Sequence, residues 1–417
     1  MPPAPDNRAG ALSPVAGPWL TVVGLGEDGH LAPAAISRIK DSAIVYGGER
    51  HFSILEAAGV VLAGERRPWP SPFSDALAEL LARRGTPVAV LATGDPQWFG
   101  IGATLARRVE ADELAVFPAP SAFSLAAARL GWALQEVETL SLHGRPVEPL
   151  RACLAPGARI LALTGDGSAP AAAARLLVEA GCGASRMTVL EHMGGPRERV
   201  VSGTAADWRA EVADFHTLAV EVVPDAGTVL PARVPGLPDA AFRHDGKMTK
   251  REVRAVTLAA LAPHPGALLW DIGAGCGSVA IEWLRAARGA RAVGLEPHAG
   301  RRALAAANAA ALGVPQLDLQ DASAPDGLAG LPDPDAIFIG GGLTAPGVVE
   351  TCHRRLKPGG RLVANAVTLE GEAVLSDAWR RFGGELVRLA VQRADAVGGL
   401  TGWRPLMPVT QWSLVKR

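Results

Sequence analysis

Only four of the 417 residues are cysteine, and none sits at C-x-x-C spacing. That leaves neither a zinc site nor a disulfide framework to organise the chain, and it suits a reducing cytoplasm. Glu191-His192 could suggest a metal pair, but neighbours on a strand point to opposite faces, so no metal is expected. Net charge is also missing: the formal value is −1, and no global field draws in nucleic acid or an anionic membrane. No uninterrupted apolar run reaches the ~18 residues of a membrane span. Residues 1–18, rich in proline and alanine, lack a basic-then-apolar pattern and read as a flexible tail, not a secretion signal. What the chain has is apolar bulk, 48% hydrophobic against 20% charged, which predicts two or three well-packed α/β domains.

The strongest local pattern is Leu268-Leu269-Trp270-Asp271-Ile272 followed by Gly273-Ala274-Gly275-Cys276-Gly277. It reads as a buried parallel strand, a turn with glycine at alternate positions, and a helix opening near Ser278. Bare peptide at a helix N-terminus receives a ligand closely. Residues 291–295 form the next strand, and Glu296 at its end can take both hydroxyls of a ribose. A dinucleotide fold wants G-x-G-x-x-G, whereas this is D-x-G-x-G-x-G. It resembles the first motif of the Rossmann-like methyltransferases that bind S-adenosylmethionine. A dehydrogenase, or a glycine turn without ligand, is the other reading. Cys276 has no paired His or Cys nearby and reads as a small residue.

Earlier in the chain, a strand over 19–23 runs into Gly24-Leu25-Gly26-Glu27-Asp28-Gly29. This is a literal G-x-G-x-x-G, but two carboxylates would face a pyrophosphate there with no Lys or Arg in the loop to offset them. A cationic ligand, or none, is expected. Further strands at 43–46, 87–91, 115–117, 138–140, 159–163, 187–191 and 218–223 alternate with helices. Four prolines between Pro224 and Pro238 read as a linker, with a boundary near 231. Beyond it, Thr249 and Glu252 have capping-box spacing, so a helix is expected to start there. Arg243, Lys247, Lys250, Arg251 and Arg254 crowd together, a reception for a ligand with many carboxylates or else a solvated helix face. Strands end at 318–322, 336–339 and 361–365, leading to Ala322, Gly340-Gly341-Gly342 and Asn365, the ends where open α/β sheets place ligands.

The order G-x-G, T-G-D-P (93–96), P-x-P-S-A-F (118–123) and L-H-G-R (142–145) resembles the tetrapyrrole (cobalamin-type) methylases. That resemblance implies a two-lobed α/β domain over 19–230, with lobes at about 19–145 and 146–230. It places S-adenosylmethionine against Gly94, Asp95, Trp98, Ser121, Ala122 and Thr164. Glu27 and Asp28 depart from the G-x-G-P-G of that family. From Gly236 onward, M-T-K-x-E-x-R, D-I-G-A-G-C-G-S-V-A-I-E, A-I-F-I-G-G and V-A-N-A-V-T-L-E resemble the decarboxylating precorrin methyltransferases. This implies a Rossmann-like class I methyltransferase domain over 231–417. A second S-adenosylmethionine would lie at Thr249, Gly273, Ala274, Gly275, Cys276, Gly277, Glu296 and Ala322. A tetrapyrrole would lie at Arg243, Lys247, Lys250, Gly341 and Asn365.

Together the two resemblances imply a bifunctional enzyme of cobalamin synthesis that methylates two meso carbons of a precorrin and removes one carboxyl group. No general acid or base is identified. A non-catalytic N-terminal binding module is the alternative, as is a fusion acting on another substrate such as RNA, which the net charge disfavours. Both families imply a homo-oligomer.

Overall fold

The computed structural model describes residues 17–70 and 73–417. The expected tail therefore lies, up to residue 16, outside the described residues. Two compact units divide the chain. One takes the chain up to Arg145 with Arg159–Ala172 and Arg186–Glu221; the other takes Pro146–Ala158, Ala173–Ser185 and Val222–Arg417.

The first unit holds two five-stranded sheets. β1 (Leu20–Leu25), β2 (Ile44–Gly47), β3 (Glu65–Pro68), β4 (Val88–Thr93) and β5 (Leu114–Phe117) pair in parallel in the order β3-β2-β4-β1-β5. β1 is buried along its whole length and β4 as far as Ala92, as the unbroken apolar runs predict for strands covered on both faces. β6 (Val137–Ser141), β7 (Arg159–Leu163), β8 (Arg186–Glu191), β9 (Arg199–Thr204) and β10 (His216–Glu221) form the second sheet, ordered β6-β7-β10-β8-β9. Only its β6–β7 pair is parallel. The helix Ala122–Leu130 packs Phe123, Ala126 and Ala127 onto Leu161, Leu190 and Ala219 of this sheet.

The second unit is built on β11 (Leu268–Ile272), β12 (Arg291–Leu295), β13 (Asp318–Gln320), β14 (Ala336–Ile339), β15 (Arg361–Ala366), β16 (Glu385–Leu389) and a late strand reached through a hairpin, β17 (Gln392–Val397) with β18 (Leu400–Pro405). That late strand, β19 (Val409–Val415), inserts antiparallel between β15 and β16, giving β13-β12-β11-β14-β15-β19-β16. Side chains alternate cleanly. Leu269 faces one apolar core with Trp283 and Phe338, and Leu268, Trp270 and Ile272 face another with Ile337, Ile339 and Trp412. No helix among the described residues is long and apolar enough to cross a membrane.

One expected start is corrected. The helix after the linker begins at Arg251, its N-cap is Lys250, and no side chain caps it. Glu252 is held instead by Arg393 of β17, at 2.6 and 3.2 Å. A bidentate guanidinium outcompetes a reciprocal backbone cap.

Candidate functional sites

In the second unit the strand order reverses at β11, flanked by β12 and β14, and open α/β sheets bind ligands where that happens. Gly273, Gly275 and Gly277 all have positive φ, at 72°, 58° and 79°, a region costly for any residue with a Cβ. A Cβ on Gly273 would stand 2.5 Å from the Gly341 Cα. The two glycine segments singled out separately in the sequence are thus pressed together. The N–H groups of Gly340 and Gly341 both donate to the Ile272 carbonyl, at 2.9 and 3.1 Å. Glu296 is buried and lies against this loop, accepting from the Gly275 N–H at 2.9 Å and the His298 N–H at 3.0 Å. Ala274 is buried beneath it, its N–H donating to the Leu295 carbonyl at 3.0 Å.

Cys276 is buried, and burial pushes its thiol up, so no thiolate nucleophile is on offer. Its carbonyl accepts from Asn308 Nδ2 at 3.0 Å. The same amide brackets the backbone of Arg243, donating to its carbonyl at 2.9 Å and accepting from its N–H at 2.8 Å. The basic segment is thereby laid over the glycine loop, and the Lys247 carbonyl would be 3.8 Å from a Cβ on Gly275. Arg243 and Lys247 are exposed, Thr249 and Lys250 half-buried. Arg254 does not join them. It is fully buried, bonded to Glu282 at 2.6 Å and to the Thr249 carbonyl at 2.6 Å, with Phe242 beneath its guanidinium. A cation counted toward the ligand in the sequence is a core ion pair.

Asn365, at the end of β15, donates to Thr257 Oγ1 at 3.0 Å and accepts from Gln411 at 2.9 Å. Ala322, half-buried past β13, packs on the core around Leu295 and Leu328. Arg302 was passed over in the sequence. It ties the ends of β12 and β13 by donating to the Glu296 carbonyl and to Asp321, at 2.8 Å each. Its only signal is a cation in the helix just after the ribose-type acid.

Asp271 sits fully buried under the loop, one oxygen accepting from the Ala280 N–H at 3.1 Å. Burial first, and then Glu296, push its carboxyl up to about 7. The native state therefore holds this proton more tightly than the unfolded chain. Its stabilising contribution is present at acid pH and is lost as pH rises from about 4 through about 7. Asp271→Asn keeps the acceptor and removes the titration. Urea midpoints between pH 4 and pH 8 should show the variant gaining on the parent by up to about 4 kcal/mol; a constant difference would remove Asp271 as the cause.

In the first unit the end of β1 and the loops after β4 and β5 meet at Gly24, Gly94 and Ala119. A Cβ on Gly24 would collide with the Gly94 carbonyl and lie 2.7 Å from the Ala119 N. Gly94 has φ 62° and donates to the Leu25 carbonyl at 2.8 Å. Asp95 forms a tight turn, accepting from the Gln97 N–H at 2.8 Å. Trp98 and Phe99 are 38% and 44% exposed, and both lean on Phe123. Phe99 holds φ 58°, backbone strain of the kind that clusters at ligand sites. Ser121 caps the helix Ala122–Leu130 by accepting from the Ser124 N–H at 3.0 Å, and Ala122 opens it. Thr164, buried at the end of β7, bonds His216 Nε2 at 2.9 Å, and His143 Nδ1 bonds the Thr164 carbonyl at 3.1 Å. His216 is pulled down by burial, so it stays neutral, with Nδ1–H donating to the Ala213 carbonyl at 2.7 Å.

Residues 20–208 match the tetrapyrrole (corrin/porphyrin) methylases and residues 240–416 the precorrin methyltransferase domain. The chain is 51% identical over 405 residues to a precorrin-6Y C(5,15)-methyltransferase [decarboxylating] of Sinorhizobium sp, covering 96% of this chain and 97% of that one. Two shorter relatives each match under half of it. A cobalt-precorrin-7 C(5)-methyltransferase of Salmonella typhimurium is 32% identical over 45% of this chain and 94% of its own. A probable cobalt-precorrin-6B C(15)-methyltransferase (decarboxylating) of Pyrobaculum calidifontis is 36% identical over 43% of this chain and 95% of its own.

Proposed function

The chain belongs to the precorrin-6Y C(5,15)-methyltransferase (decarboxylating) family, and from that premise we propose that it carries out both methyl transfers and the decarboxylation on a precorrin in cobalamin synthesis. The observation that carries this is the presence of two glycine-lined strand ends in one chain, each inside its own matched domain. C5 methylation belongs to the N-terminal domain, C15 methylation and decarboxylation to the C-terminal one. The reading takes residues 19–230 and 231–417 as the two domains and, with four cysteines scattered without C-x-x-C spacing, the cytoplasm as the setting.

Both sites fit an adenosyl group. At the C-terminal one, Glu296 at the end of β12 takes the ribose hydroxyls, Gly273 to Gly277 offer bare peptide, Ala322 lies toward the base, and Thr249 closes the edge. At the N-terminal one, Gly94, Asp95, Trp98, Ser121, Ala122 and Thr164 would hold it, with Gly94 lying against the backbone of Ser121 and Ala122. S-adenosylmethionine, when bound, supplies an electrophilic methyl on a sulfonium. The electron-rich macrocycle carbon is itself the nucleophile, so the chain's task is alignment, and orientation contributes several kcal/mol. Arg243, Lys247 and Lys250 grip carboxylate arms, with Gly341 and Asn365 lining the macrocycle's approach. Loss of carbon dioxide follows when the neighbouring ring accepts the electron pair, and an acetate left unpaired by these cations loses it most readily.

Incubating the full chain with precorrin and methyl-labelled S-adenosylmethionine should give a product with two labelled methyls and release carbon dioxide, read by mass spectrometry. One methyl without carbon dioxide would overturn the bifunctional reading.

A further inference from the structure

Beside the glycine loops of the first unit lies a charged cluster that holds none of their backbone. Glu27, which stands where related loops resemble G-x-G-P-G with proline, places one carboxylate oxygen 3.1 Å from Arg50 Nη1 and the other 3.8 Å from His192 Nδ1. Arg50, in the first turn of the helix Glu49–Ala57, donates through Nη2 to Thr93 Oγ1 at 2.7 Å and lies 3.7 Å over the Phe215 ring. His51 Nε2 meets the same hydroxyl at 3.0 Å. Its Nδ1 accepts from the Gly48 N–H, and burial pulls it down to about 4, so it is a neutral donor. His192 is held at φ 44°, strained backbone for a residue with a Cβ. Elements from both lobes thus converge on one guanidinium.

Two features set this apart from a surface ion pair. Glu27 Oε1 and Arg50 Nη1 are both buried, yet their contact lacks hydrogen-bond geometry, so each atom is left unsatisfied. An ion pair whose facing atoms lack hydrogen-bond geometry gains when a well-oriented carboxylate takes the place of Glu27 at the guanidinium. Arg197 also adds its positive field at Arg50, which favours an incoming anion. Thr93 immediately precedes Gly94 and Asp95, which puts Arg50 at the lip of the proposed cofactor loop.

We propose that Arg50 anchors a carboxylate arm of the tetrapyrrole in the N-terminal site, and that Glu27 is its resident stand-in, displaced when the arm docks. The inference rests on the functional reading above. An arm held at Arg50 fixes the macrocycle one residue from the loop that presents the methyl group. Arg50 then acts in substrate binding, and Glu27 acts against it, as an internal competitor.

The test is steady-state C5 methylation by the full chain, comparing Arg50→Gln, Arg50→Lys and Glu27→Gln. An anchor with an internal competitor gives opposite signs. Arg50→Gln raises KM for the precorrin roughly tenfold or more with kcat little changed, Arg50→Lys recovers part of the loss, and Glu27→Gln lowers KM several-fold. If Glu27→Gln and Arg50→Gln instead raise KM and lower kcat together, the pair is a structural clasp and the proposal fails. Unchanged KM in both also overturns it. S-adenosylhomocysteine titration of the same variants separates this from the wider reading. Two sites per chain with an unaltered KM sinks the anchor alone, whereas absence of an N-terminal site sinks the methylase assignment.

Discussion

Gly273→Ala is expected to abolish cofactor binding in the C-terminal domain while leaving the N-terminal site untouched. The residue holds φ 72°, and an added methyl carbon would lie 2.5, 2.7 and 3.0 Å from the Cα, N and C of Gly341. Two penalties add. The left-handed backbone costs ~1–2 kcal/mol for a residue with a Cβ. The clash is with backbone, so no rotamer relieves it; either loop must shift, carrying with it the Gly275 N–H that Glu296 holds at 2.9 Å. A loss of about 100-fold or more in S-adenosylhomocysteine affinity, ~3 kcal/mol, is expected at that site. Binding within a few-fold of the parent would show that the loop is not the cofactor's platform.

Arg254→Met is expected to destabilise the second unit by ~3–5 kcal/mol, because it strands Glu282 in the core. Arg254 is fully buried and Glu282 is 2% exposed. Without the guanidinium, the N–H groups of Gly236 and Leu237 still donate to that carboxylate. For about 150–250 residues each kcal/mol is worth ~2–4 °C, so the apparent Tm of this unit should fall by roughly 10 °C. Arg254→Met with Glu282→Gln should recover part of the loss, since it removes the stranded charge, although the amide oxygen can keep only one of the two backbone donors that now reach separate carboxylate oxygens. Equal destabilisation by the single and double variants would mean that the harm lies in the packing over Phe242 and not in the stranded charge. The pair also orders the approach to the basic segment, because Arg254 holds the carbonyls of Leu237 and Thr249.

The strand-loop-helix around Asp271 and the acid at Glu296 were legible because the information is local. An apolar run, alternating glycines and a carboxylate one strand on need no distant partner to be read. The failures lie where distant residues decide. Glu252 has the spacing of a capping box, but Arg393, far along the chain, claims its carboxylate. Arg254 sits in a basic cluster by sequence and in the core by structure, because Glu282 waits on the next helix. The Glu27 loop looked uncompensated because its cation, Arg50, comes from a following helix, and His192 reaches it from the other lobe. The late strand β19, inserted antiparallel beside β15, carries no pattern that announces its partner.

The central claim is that one chain holds two methyl-donor sites. Calorimetric titration of S-adenosylhomocysteine into the full chain should give two sites, falling to one in Gly273→Ala. A single site in the parent chain, lost altogether in that variant, would contradict it and leave the N-terminal domain a module that binds without methylating.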